Sequence, residues 1–182
     1  MQKRSHTLLA RTLMDGRDAF DRPAARLAFL LGSFEPDCNP LSYLKGSFRC
    51  RAFMGHNFAN ARPFIHRRIL RLQRRQRWNL WHYYTLGKLT HYLADAFTCP
   101  HNENYTGSQA AHHRYESDLR LLMSRQLPRL SLRPMDAPGD LSAAIDELHR
   151  QYLGQNSDRQ RDMGYILRAN SLLLEGLLPR VG

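Results

Sequence analysis

The sequence predicts an all-α fold. Apolar residues recur at three- and four-residue spacing through most of the 182 positions, and no stretch of useful length alternates like a strand. Prolines and glycines punctuate the pattern and divide it into about six to eight helices. The length suits a single domain over 1–182 with a sizeable core, and a hydrophobic content of 42% argues against disorder.

Residues 5–14 read as the first helix, with His6, Leu9 and Leu13 on one face. A histidine there is either a satisfied core residue or a ligand aimed inward. Asp15-Gly16 makes a turn. Pro23 opens a second helix, a position that suits proline; Leu27, Leu30 and Leu31 mark its inner side and Gly32 its end. Phe34 to Pro40 then reads as an irregular loop pinned by two prolines. Asp37 lies in that loop, where an aspartate commonly caps its own backbone. Residues 41–55 read as loop with a short helix, and His56 follows just ahead of a long helical pattern. A helix over 63–76 puts Phe64, Ile65, Ile69 and Leu72 inside and arginines outside. The central helix spans 78–98, with Trp81, Leu86, Leu89 and Leu93 as core candidates, and breaks at Pro100. Helices over 110–126, 140–153 and 157–178 complete the chain; Leu119, Leu122 and Met123 lie inside the first of these. Pro128, Pro134 and Pro138 mark a connector.

The net charge is +11, and the excess arginine is densest between Arg62 and Arg77. Such a band is either a solvated helix face or an attraction for phosphates, on nucleic acid or on an anionic lipid surface. No apolar run approaches the roughly 18 residues that span a bilayer. The N-terminal stretch is basic but lacks the apolar segment of a signal peptide. A cytoplasmic location is therefore expected, or a secreted one if a processed leader precedes this sequence. Cys38, Cys50 and Cys99 cannot all pair and form no Cys-x-x-Cys; free thiols are expected, with nothing to support a Cys38–Cys50 bridge.

The chemistry concentrates between Gly87 and Glu116. His91 and Asp95 are four apart and project from one helical face. His101 follows Pro100, and His112 with Glu116 repeats the four-residue pair. His113 stands at i+3 from Glu116 and could take the place of His112. A histidine and a carboxylate one turn apart can share a metal ion. Two such pairs with a histidine between them suggest a multinuclear site between helices.

Ser5-His6, Phe34 to Asp37, Gly55-His56, Thr90-His91-Tyr-Leu-Ala-Asp95 with Pro100-His101, and His112-x-x-x-Glu116 resemble, in order and spacing, the zinc-dependent phospholipase C family of bacteria. The resemblance implies a phospholipase C-like helical domain holding two or three zinc ions. It implies that Asp37, His56, His91 and Asp95 hold one metal, and His101, His112 and Glu116 a second. His6 and Asp95 would hold a third with the amino group and carbonyl of the first residue. It further implies hydrolysis of a phospholipid or related phosphoester by a metal-bound hydroxide, with Asp37 positioning or deprotonating the water. In the family the first residue lies well ahead of the first histidine, whereas Met1 lies five residues before His6. The third metal is then absent, held weakly by His6 and Asp95, or reached by a Met1 that curls back.

The related zinc-dependent single-strand nucleases and 3′-nucleotidases close the second pair with an aspartate after a longer gap, so Glu116 favours the phospholipase side. The arginine band with Trp78, Trp81, Tyr83 and Tyr84 would suit nucleic acid, although core packing is the plainer role for Trp81 and Tyr84. A metal-binding domain without turnover is the reading from another class. His66, His82 and His149 fall outside the scheme, as surface or supporting residues.

Overall fold

The computed structural model describes residues 1–38, 58–102, 105–132, 135–155 and 158–179. The helices are α1 (Lys3–Met14), α2 (Pro23–Cys38), α3 (Phe58–Gln73), α4 (Leu80–Ala96), α5 (Gln109–Gln126), α6 (Leu141–Leu153) and α7 (Arg159–Leu177). The described residues contain no strand, and the all-α expectation holds.

Helix α4 is the axis of the fold. Every residue from Thr85 to Ala96 is buried, because α1, α2, α3 and α7 all pack on it. Its start is fixed by a capping box. The Asn79 side chain accepts the His82 N–H at 3.2 Å, and His82 Nδ1 accepts the Asn79 N–H at 3.1 Å. That is the role of His82. Leu86, Leu89 and Leu93 sit in the core as expected, together with Ile65, Ile69, Leu72, Leu119 and Met123.

The tightest packing is between α2 and α4. A Cβ on Gly32 would collide with the Tyr84 carbonyl, and one on Gly87 with the Phe29 carbonyl and the Ser33 amide. Glycine at both places lets the two backbones touch. The contacts advance in the same direction along both helices, so the last turn of α2 arrives beside His91.

This packing corrects three expectations. Gly32 does not end α2, and Asp37 lies in the helix's last turn rather than in a loop. Pro36 is carried inside the helix, and its missing N–H leaves the Gly32 carbonyl without its usual helical partner. The inner side of α2 is Ala25, Phe29, Gly32, Ser33 and Pro36, while Leu27 and Leu31 are exposed. A close backbone approach selects small residues for the contact, whatever the hydrophobicity of the other faces. Trp81 is likewise 62% exposed, because it precedes the enclosed part of α4. Helix α3 begins at Phe58, ahead of Pro63. Cys38 and Cys99 form no disulfide among the described residues, and Cys50 lies outside them.

Candidate metal centre

Two clusters of nitrogen and oxygen donors meet at the C-terminal half of α4. In the first, Nε2 of His6 lies 3.3 Å from Asp95 Oδ1, and Nε2 of His91 lies 3.3 Å from Asp95 Oδ2. The two imidazoles stack with centroids 3.9 Å apart. Asp37 approaches from α2, with its carboxylate 3.6 Å from His91 Nε2 and 3.9 Å from His6 Nε2. His91 Nδ1 donates to the Ser33 carbonyl at 3.0 Å. Only an N–H can make that bond, so in the neutral ring the lone pair is on Nε2, facing the carboxylates.

In the second cluster, Nε2 of His101 and Nε2 of His112 lie 3.4 and 3.1 Å from Glu116 Oε1. His113 instead meets Gln109 at 3.2 Å, which decides between the adjacent histidines. The amino group of Met1 sits between the clusters, 2.5 Å from Asp95 Oδ1, 3.3 Å from Glu116 Oε1 and 3.2 Å from His101 Nε2. Met1 thus curls back onto the two clusters. Gln2 anchors it by donating to Ser117 Oγ at 3.1 Å.

The charges respond to this crowding. Burial opposes the charge on the Met1 amine, but Asp95 and Glu116 raise its pKa. Burial also opposes ionisation of Asp95, yet the Met1 amine, His101, His6 and His91 hold its carboxyl well below the usual range. Glu116 is pushed up by burial and pulled down further by the His101 hydrogen bond and the Met1 amine, ending at about 2. His101 is lowered, chiefly by burial and then by the Met1 amine.

A second set of residues holds the donors in place. Thr98 Oγ1 donates to the Asp95 carbonyl at 2.6 Å. Asn102, next to His101, donates to the carbonyls of Ala96 and Thr98 at 3.2 and 2.9 Å, closing the end of α4. Buried Asp162 of α7 accepts from the Cys99 N–H at 3.3 Å and from Tyr115 Oη, bracing the segments that carry His101 and Glu116. His149 is buried, stacks on Phe58 at 3.8 Å and donates through Nε2 to Asn102 Oδ1 at 3.0 Å. His66 meets Asp146 at 3.0 Å.

His149 yields a pH prediction. Burial lowers its pKa from 6.5 to about 4, so the folded protein keeps it neutral. Below pH 6.5 the unfolded chain takes up a proton that the folded chain refuses. Its contribution is therefore whole above pH 6.5 and is lost as pH falls toward 4, amounting to about 2 kcal/mol at pH 5. His149→Gln keeps an amide donor but does not titrate. Urea melts at pH 7.5 and pH 5 should show a smaller difference for this variant than for the parent; an equal difference would refute the assignment.

The structure thus brings together seven of the eight residues singled out in the sequence: His6, Asp37, His91, Asp95, His101, His112 and Glu116. His56 lies outside the described residues. The Ser33 carbonyl, Asn102 and Asp162 were not legible as parts of the site. A backbone carbonyl leaves no mark in a sequence, and Asp162 reads as an ordinary first-turn acid of α7.

The residues fit a metal. Neither ring nitrogen of buried His6 makes a hydrogen bond among the described residues. The donor atoms of His6, His91 and Asp95 lie within 4.8 Å of one another, as do those of His101, His112 and Glu116. The His91 Nε2 lone pair, turned toward carboxylates, is stabilised by positive charge between them, and this mix of nitrogen and oxygen suits zinc. In comparisons with known proteins, a family model described as zinc-dependent phospholipase C matches residues 5–158. No curated protein and no solved structure matches the chain.

Proposed function

Because the chain belongs to the zinc-dependent phospholipase C family, we propose that it hydrolyses a phospholipid or related phosphoester with zinc held at the two clusters. The observation that carries this reading is the convergence of His6, His91 and Asp95 beside His101, His112 and Glu116. Asp37 would join the first set, and His56 joins it on the resemblance alone. The Met1 amine, once it has lost its proton, is a further donor beside Asp95.

Bound zinc supplies Lewis acidity toward the phosphoryl oxygens. The chain's own groups do the remaining work. Asp95 carries a fixed negative charge between the histidines. Asp37 is 22% exposed while Asp95 is buried, so it is the carboxylate of the first cluster that water reaches. In this reading it accepts the proton that water loses as the water oxygen bonds to phosphorus. The P–O bond on the glycerol side breaks, and the leaving alkoxide takes a proton from solvent, giving diacylglycerol and a phosphorylated head group.

Mass spectrometry of protein purified without added zinc should find two or three zinc ions per chain, fewer in His91→Ala and in Glu116→Ala. No metal after zinc is offered would sink the proposal. Asp37→Asn should lower kcat by about 100- to 10,000-fold while His101, His112 and Glu116 retain their metal. A full rate with full metal content would remove Asp37 from the chemistry. Parallel panels of phospholipids and 3′-nucleotides separate this reading from a nuclease, and a metal-loaded protein inert on both would be a binding domain.

A further inference from the structure

We propose that the turn end of the α3–α4 hairpin is a docking surface for an anionic lipid bilayer. Helices α3 and α4 pack together and are joined by the short connector 74–79. Leu70, in the last turn of α3, is 53% exposed; Leu80 and Trp81, in the first turn of α4, are 54% and 62% exposed. In the same stretch of chain Arg67, Arg71, Arg74, Arg75 and Arg77 are exposed.

The charge here is one-sided. Residues 58–94 contain no aspartate or glutamate. Arg62 is neutralised by Asp146 at 2.6 Å, and Lys88 by Glu35 at 2.9 Å. None of Arg67, Arg68, Arg71, Arg74, Arg75 and Arg77 forms a salt bridge among the described residues. The crowding is felt locally: burial, then Arg71 and Arg67, lower the pKa of the Arg68 guanidinium.

A bilayer interface fits both halves of this patch. Arginines pair with lipid phosphates, an indole settles at headgroup depth, and leucines enter the acyl boundary. Trp81 stacks on Tyr84 with centroids 5.1 Å apart, which holds the indole in place and covers one of its faces. A nucleic acid would use the arginines equally well. It would leave Leu70 and Leu80 without partners and find only one open face of Trp81 for stacking. The patch lies about 15 Å along α4 from His91, so binding here is separate from the metal clusters.

Sedimentation with vesicles tests the surface. The protein should bind vesicles containing one third phosphatidylglycerol far better than pure phosphatidylcholine, and 0.5 M salt should release it. The combined variant Arg74→Gln, Arg75→Gln, Arg77→Gln should bind about 100-fold more weakly, at about fivefold per arginine. Trp81→Ala should also weaken binding and remove most of the fluorescence blue shift. The rate on a soluble short-chain phosphodiester and the zinc content should be unchanged in both. Equal binding to the two vesicle types, or unaltered binding by the triple variant, would overturn the inference. So would binding of a single-stranded oligonucleotide without binding of vesicles, which would assign the surface to nucleic acid. Loss of turnover with vesicle binding intact would count against the zinc proposal alone.

Discussion

Asp95→Asn should reduce turnover at least about a thousandfold, because it removes a buried carboxylate that faces both His6 and His91. The substitution preserves shape, so packing inside α4 is undisturbed. What changes is charge. Asp95 is held ionised at every working pH, since burial is outweighed by the Met1 amine and by His101, His6 and His91. An amide in its place offers those groups no negative charge, and in the proposed centre it offers a metal only a weak oxygen. Zinc content should fall by at least one ion per chain. The metal-free variant should also melt lower than the metal-free parent, because a buried ammonium is left without its nearest carboxylate, a loss of about 3–5 kcal/mol. Zinc measured by mass spectrometry beside rates on a lipid panel checks both effects. Parent-like zinc content and turnover would remove Asp95 from the centre.

The second large effect is expected at a residue with no chemistry. Gly87→Ala should destabilise the protein by at least about 3 kcal/mol, although alanine is the better helix former by about 1 kcal/mol. A Cβ at Gly87 would press on the Phe29 carbonyl and come within 2.8 Å of the Ser33 amide nitrogen. These are backbone atoms of α2 and cannot rotate away. The two helices would have to part where they are in closest contact, withdrawing Asp37 and the Ser33 carbonyl from His91. Gly164→Ala in α7 is the control. A Cβ there meets nothing within 4 Å, so the same change should leave stability unchanged or raise it by up to about 1 kcal/mol. Urea melts of the pair decide the matter, and equal shifts would show that helix contact is not the cause.

Much of the proposed centre was legible because its pairs are local. His91 with Asp95 and His112 with Glu116 each lie one helical turn apart, and that spacing alone puts them on a shared face. The helices carrying them were legible for the same reason, and α4 and α5 lie close to where the periodicity predicts them. The course of α2 was not. Gly32 and Pro36 are ordinary signals of a helix end, yet the helix continues through both, and Gly32 is needed for contact with α4. Leu27, Leu31 and Trp81 misled in the opposite way. Hydrophobicity identifies which residues can be buried, not which of them a neighbour will cover.

By itself, then, the sequence determined the all-α class, the family, and two histidine–carboxylate pairs, because helical periodicity and i, i+4 spacing are properties of a single segment. Tertiary structure alone decided that Asp37 reaches His91 from a helix, that His112 rather than His113 faces Glu116, and that the Met1 amine lies between Asp95 and Glu116. It also decided that Trp81 faces solvent. The reach of Asp37 to His91 depends on how closely two backbones approach across a long sequence separation. Here that distance is governed by two glycines, whose contribution is the absence of a side chain.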